Sequence, residues 1–381
     1  MIFGEDLDGL GQHPLEEEPW GPAGATAQAS GAEGRRFLAP QLLMDGDHRP
    51  WKDETMAVRN WIGLDRHLSV KPLLHGRDMN PAIEPGRRRY RSIFTSATRR
   101  ERVANFEAYW AYSLRHDGAI LQDQKDLVRK RDALARIQAH PVRSRRPLAD
   151  PAHFYRNHVI MQDDPQTLDR KTLLLTFLYK FARHEYVGIS AAWDNTERMT
   201  ASTSVIAKIG LYHLCEEFCH MRLFQEIFRT FHLDNVEWVP LGKWMSRMYR
   251  VFPMFPEAML APPAFVSELM GLTVYQHIDG VLDDILDDEP EAREHVRTLL
   301  REVMTDELAH VGQRRNFLGP LGLRAAHLMV PSMYRAFFRD IPEATLLVNV
   351  ERMVQDGKAF DYSTIAPEMI ERSWVPTYCK A

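Results

Sequence analysis

Glu216-Glu217-Phe218-Cys219-His220 and Asp306-Glu307-Leu308-Ala309-His310 are the two stretches on which the reading of this chain turns. Each is an acid followed by E-x-x-H. On a helix, a Glu and a His three apart share a face with Cβ atoms about 5–6 Å apart, so both side chains can reach one metal ion. A matched pair suggests two ions.

About one E-x-x-H is expected by chance in a chain of this size and composition, so the weight lies on placement. Each motif sits inside a long apolar-periodic segment, and each is preceded by an isolated Glu in another such segment, Glu185 and Glu268. In an antiparallel helix hairpin, facing residues are equally far from the turn. The midpoint between Glu185 and Glu217 is Ala201, in the polar run Thr200-Ala201-Ser202-Thr203. That between Glu268 and Glu307 falls at Asp287/Asp288, just before Glu289-Pro290. Both are turn chemistry. Asp164-Pro165 is expected to open the first helix. Asp288 is expected to cap the last, which should end at Gly319-Pro320.

The region 164–320 therefore reads as four helices in two hairpins, an imperfect internal repeat, each hairpin offering one lone Glu and one acid-E-x-x-H. The apolar stripes agree. Leu174, Leu178, Phe181 and Ile189 accompany Glu185, and Leu214, Met221 and Phe224 accompany Glu217. Leu272 and Tyr275 flank Glu268, while Leu300, Val303 and Val311 flank Glu307. An unpaired buried carboxylate costs several kcal/mol or is forced neutral. Four inward acids with two histidines ask for compensating cations, and two divalent ions would supply them.

On these residues the chain resembles the ferritin-like di-iron carboxylate superfamily, which includes bacterial multicomponent monooxygenases, soluble acyl-carrier desaturases, the ribonucleotide reductase small subunit, arylamine N-oxygenases and rubrerythrins. The resemblance covers 164–320 of 381 residues. It implies an all-α fold, a ferritin-like four-helix bundle with N-terminal and C-terminal helical additions. It also implies metal ligands Glu185, Glu217 and His220 from the first hairpin and Glu268, Glu307 and His310 from the second, with Glu217 and Glu307 bridging. In several such families the acid before E-x-x-H bonds the histidine of the opposite motif, so Asp306 would orient His220 and Glu216 would orient His310. Many members carry Arg just before the histidine, where this chain has Cys219 and Ala309. His213, four before Glu217, is similar to the extra histidine that arylamine N-oxygenases carry on the last bundle helix, and is a candidate ligand or near ligand.

Four carboxylates with two imidazoles suit iron or manganese rather than a thiolate-rich structural zinc site. Two iron ions are the first choice, and a mixed manganese–iron pair fits the same donors. By resemblance, two ferrous ions would reduce and cleave dioxygen to hydroxylate, N-oxygenate or desaturate a small organic substrate. The alternatives are a rubrerythrin-like or ferritin-like peroxide reductase or iron oxidase, and a metal-free helical binding scaffold. The chain shows no Gly-rich dinucleotide fingerprint or cysteine cluster, so electrons are expected from a separate reductase or ferredoxin. A homodimer is an expectation by analogy alone.

Net charge is −4, with 45% hydrophobic residues and three cysteines, and no apolar run approaches the ~20 residues that cross a bilayer. The start lacks a basic n-region and an apolar h-region. These features lead to the expectation of a cytoplasmic protein with no transmembrane segment and no nucleic-acid partner. The Arg-rich patches at 87–91 and at Arg143, Arg145 and Arg146 read as solvated surface.

Residues 1–34 are expected to form a disordered tail, 35–163 an irregular and helical extension, and 321–381 a C-terminal helical extension broken at Pro331 and Pro342 and irregular from Asp356 onward. Thr98 to Ala139 carries a helical pattern interrupted near Asp117-Gly118. The long connection 234–263 is rich in Trp, Met and Phe. It reads either as cover for a bundle face or as a pocket wall or lid. Gly188 and Gly271, each three after a lone Glu, either leave room beside the metals or permit close helix packing. Tyr275 reads as a core or redox tyrosine. His184 reads as structural, and Cys215 and Cys219 as small core residues.

Overall fold

The computed structural model describes residues 90–113, 135–137, 139–160, 164–193 and 205–381. Among these the chain is α-helical, with short 3-10 turns and two isolated bridges, Tyr90 to Lys380 and Ser92 to Asp361. The all-α reading holds. The expectations for 1–34, the break near Asp117-Gly118, the turn at 200–203 and Arg87 to Arg89 lie outside the described residues.

The helices are α1 (Arg99–Ser113), α2 (Pro151–Ile160), α3 (Arg170–Trp193), α4 (Val205–Thr230), α5 (Lys243–Val251), α6 (Glu257–Ile285), α7 (Pro290–Arg315), α8 (Pro320–Phe338), α9 (Glu343–Leu347), α10 (Val350–Ala359) and α11 (Pro367–Arg372). α3 packs on α4, α4 on α7 and α7 on α6. The α6–α7 register is fixed by ion pairs, Asp283 with Arg293 at 3.3 Å and Asp279 with Arg297 at 2.8 Å, both centred on position 288. That is within half a residue of the midpoint between Glu268 and Glu307. Across α3 and α4, Tyr179 meets Phe228 at 6.1 Å between ring centroids, an antiparallel pairing. Every apolar stripe residue named above is buried.

Three boundary expectations are corrected. Asp164 caps a 3-10 turn, Pro165–Thr167, and Asp169 opens α3 by accepting the N–H groups of Lys171 and Thr172, both at 3.0 Å. The cap residue of α7 is Glu289, not Asp288. This places Pro290 at the first helical position, where its missing N–H leaves nothing unsatisfied. α7 ends at Arg315, four residues before Gly319, with Asn316, Phe317 and Leu318 making the tight bend into α8.

Pro331 does not break a helix: α8 runs through it. Its inner row, Leu323, Ala326, Val330, Tyr334 and Phe338, is buried, chiefly against α6, and holds the helix across the missing bond. The end from Asp356 is also more ordered than expected. α10, α11 and short 3-10 turns bring Tyr362, Trp374, Tyr378 and Cys379 into the core, and Cys379 is fully buried. α6 is long and apolar enough to cross a membrane by length and composition, yet 61% of the relevant stretch is buried inside the molecule.

Candidate metal centre

Helical periodicity places His213, Glu217 and His220 on one stripe of α4, with Glu216 beside it. α7 contributes Asp306, Glu307 and His310, α6 contributes Glu268 and α3 contributes Glu185. His213, Glu216, Glu217, His220, Asp306, Glu307 and His310 are all buried, and both E-x-x-H histidines are fully so. The donor atoms gather into two groups, His213, Glu217, Glu268 and His310 in one and Glu217, His220 and Glu307 in the other, each within 4.8 Å. Glu217 belongs to both.

Its two oxygens divide between them. Oε1 is 3.0 Å from His213 Nε2 and 3.1 Å from His310 Nδ1, while Oε2 is 3.3 Å from His220 Nδ1. Glu307 is split the same way, with Oε1 3.5 Å from His220 Nδ1 and Oε2 3.9 Å from His310 Nδ1. The outer nitrogens are held across the pair of motifs. His220 Nε2 lies 3.1 Å from Asp306 Oδ2, and His310 Nε2 lies 2.9 Å from Glu216 Oε2. An ionised carboxylate only accepts, so these contacts put the imidazole proton on Nε2 and turn the Nδ1 lone pair inward.

Glu268 and Glu185 stand at the edges. Glu268 Oε1 is 3.4 Å from His213 Nε2 and takes a 3.2 Å ion pair from Arg314 Nε. Glu185 joins neither donor group; one of its oxygens accepts the hydroxyl of Tyr275, and Oε2 is buried with no hydrogen-bond partner. His213 stacks on His310, ring centroids 3.7 Å apart. His184 faces away, 3.3 Å from the hydroxyl of Tyr249 on α5.

No protein-family model matches the chain, and comparison with curated proteins and with solved structures likewise finds no match.

Burial and the neighbouring Glu217 push Glu185 up to about 8. The same two causes raise Glu307 well above the usual carboxyl range. For Glu217, burial is outweighed by His220, His213 and His310, and its carboxyl is held well below that range. His220 is raised despite burial by Glu217 and Asp306, and His310 by Glu216 and Glu217. His213 is lowered, first by burial and then by His310. Without a cation, then, the cluster settles by sharing protons among groups that cannot all be ionised.

The residues fit a metal. The Nδ1 atoms of His220 and His310 are buried and face the carboxylate oxygens of Glu217 and Glu307 at 3.1 to 3.9 Å, the arrangement of donors that converge on a shared cation. Buried His and Glu groups that could hold a metal ion are thus in place, with hard oxygen and imidazole donors. Cys215 and Cys219 are buried, carry no disulfide and lie outside both groups. Arg314 was missed in the sequence, although its position one turn after His310 on the same helix could have pointed to it.

Gly271 lies beside the centre, where a Cβ would be 3.8 Å from Glu307 Oε2. At Gly188 a Cβ would stand 3.5 Å from the ring of Tyr249, so that glycine lies against the connection instead. The connection itself is divided. Trp238 stacks on Tyr179 with ring planes 11° apart, whereas Trp244, Met248, Phe252 and Phe255 are exposed.

Proposed function

We propose that this protein is a non-haem di-iron oxidoreductase on a ferritin-like four-helix bundle formed by α3, α4, α6 and α7, which activates dioxygen to hydroxylate, N-oxygenate or desaturate a small organic substrate. The observation that carries the reading is the division of Glu217 and Glu307, each directing one oxygen toward His220 and the other toward His310. Two carboxylates spanning two inward-facing imidazoles form a cradle for a pair of ions.

His220, with Glu185 turning in from Tyr275, would hold one ion, and His310, Glu268 and the candidate ligand His213 the other, with Glu217 and Glu307 between them. Bound there, two ferrous ions would supply electrons to dioxygen, with the remainder delivered by the reductase. Asp306 and Glu216 keep the Nε2 protons in place, so each imidazole presents Nδ1 in a fixed orientation. Arg314 balances Glu268 at the rim. The apolar stripes, with Phe181, Phe224 and Leu272 among them, keep bulk water from the carboxylates. A manganese–iron pair fits the same donors, and a reductase or ferredoxin would deliver electrons.

The test is elemental analysis of freshly purified protein beside a Glu217→Ala/Glu307→Ala variant. The expected result is about two iron ions per chain (or one iron with one manganese), absent from the variant. No transition metal after anaerobic ferrous reconstitution would overturn the reading and leave a metal-free scaffold. Metal-dependent peroxide removal or ferrous oxidation without substrate oxidation would move it to a peroxide reductase or iron oxidase.

A further inference from the structure

Nine large hydrophobic residues are exposed among the described residues, and six of them fall between 244 and 259: Trp244, Met248, Val251, Phe252, Phe255 and Met259. Trp244 is 74% exposed and Met259 61%. Contiguous apolar surface of this kind marks an interaction site.

The wheel of α5 shows what it is built to meet. Trp244, Met248 and Val251 are spaced i, i+4, i+7 on one stripe, and Lys243, Arg247 and Arg250 follow the same spacing one residue earlier, about 100° round the helix. All six are exposed. The opposite side is seated on the protein by Tyr249, whose hydroxyl is 3.3 Å from His184 Nδ1 and whose ring lies over Gly188. From Trp238 to Pro256 there is no Asp or Glu, in a chain whose net charge is −4. The apolar row then continues through the 3-10 turn Phe252–Met254 to Phe255 and Met259.

We propose that α5 and the turn after it form an interfacial docking surface for an anionic lipid membrane, with the Trp/Met/Val/Phe row entering the acyl boundary and Lys243, Arg247 and Arg250 meeting the phosphates. A helix lying in a bilayer interface needs an apolar face with aromatics and a basic flank, and the attraction to anionic lipid grows with each Lys or Arg near the surface. Both are present here on a helix held against the protein by its third side. A protein-docking surface is typically an apolar centre ringed by a mixed polar rim. Here the flank of α5 carries one sign of charge, and all three residues of its apolar stripe are exposed. Through Tyr249 and His184, the surface abuts the segment of α3 that carries Glu185.

The test is co-sedimentation of the full chain with vesicles of phosphatidylcholine alone and of phosphatidylcholine mixed with phosphatidylglycerol, over a range of salt. The expected result is binding to the anionic vesicles that weakens with salt. Lys243→Gln/Arg247→Gln/Arg250→Gln should weaken it by more than about tenfold, and Trp244→Ser/Phe252→Ser should weaken it at all salt concentrations. The helical circular dichroism of both variants should be unchanged. Absence of wild-type binding, or equal binding by the charge-neutralised variant, overturns the proposal. So does a dimer in analytical ultracentrifugation that Trp244→Ser abolishes, which assigns the face to a second copy, or salt-sensitive binding of an acidic ferredoxin in place of vesicles. The assay needs no metal in the centre, so it succeeds or fails separately from the di-iron reading.

Discussion

Asp306 and Glu216 touch the opposite histidines through Nε2 and belong to neither donor group, so they separate positioning from ligation. Asp306→Asn keeps size and shape but removes the charge that favours the Nε2–H tautomer of His220. It should weaken ferrous affinity by about 10–100-fold while leaving the fold intact, as read by anaerobic metal titration and circular dichroism. The metal-free cluster also gives a pH signature. Glu185, at about 8 when folded, has an ordinary value of 4.5, so its contribution favours the fold at low pH and is lost as pH rises between those values. His220 and His310, raised above 6.5, likewise contribute below that value and lose their contribution as pH rises through their folded values. The chelator-treated protein should therefore melt at progressively lower temperature as pH rises from 6.5 through 8. Ferrous loading should flatten that dependence and release protons, measurable in a weakly buffered titration. At this scale the sequence was most legible, because E-x-x-H spacing places Glu217, His220, Glu307 and His310 on facing stripes. The rim was less so. That Glu185 turns to Tyr275 and Glu268 to Arg314 depends on rotamers, which spacing does not determine.

Elements were legible where a period ran long, and their ends were not. Equal spacing from the bend locates the α6–α7 turn because hairpin register follows from length alone, and the ion pairs centred on position 288 agree with it. What escaped it was Glu289. Instead of capping α7 with its side chain, this residue accepts the N–H groups of Arg145 and Arg146 at 2.8 and 2.9 Å and the ammonium of Lys171 at 3.4 Å, binding the 141–148 segment to the hairpin turn. No local pattern announces a contact between segments so far apart in sequence. Burial pushes the Glu289 carboxyl up, but those N–H groups and Lys171 outweigh it and hold the carboxyl below its usual 4.5. Its contribution is thus present above 4.5 and lost as pH falls. Glu289→Gln removes the charge and turns an NH₂ group towards one of the two backbone N–H donors. Denaturant melts at neutral pH should show a loss of about 1–3 kcal/mol, and the gap from wild type should narrow on acidification.

For the whole molecule, the instructive case is the C-terminal end, which sequence pattern presents as irregular and the structure places in the core. Tyr362, Trp374, Tyr378 and Cys379 are buried, yet they lie on short turns, so no 3.6-residue period connects them. Their destination is α7, the helix that carries Glu307 and His310. At Gly312, two residues after His310, a Cβ would stand 2.9 Å from both Pro376 Cδ and Tyr362 Oη and 3.0 Å from Trp374. Two rings and a proline therefore occupy the space beside the glycine. Arg315 on the same helix is fully buried, donates to the carbonyls of Ile93, Thr95 and Leu318 and lies 5.1 Å from the ring centroid of Tyr378. The C-terminal segment and residues 90–95 are thus joined around the outer side of the helix that holds half of the candidate centre. Gly312→Ala must displace a proline and two aromatic rings, an overpacking change expected to cost about 1–3 kcal/mol. Deleting 360–381 exposes that side of α7 and the buried guanidinium of Arg315 together. The truncated chain should lose cooperative thermal unfolding and metal uptake at once. If it instead melted as sharply as the full chain and bound metal equally well, the C-terminal segment would be a covering that the centre can do without.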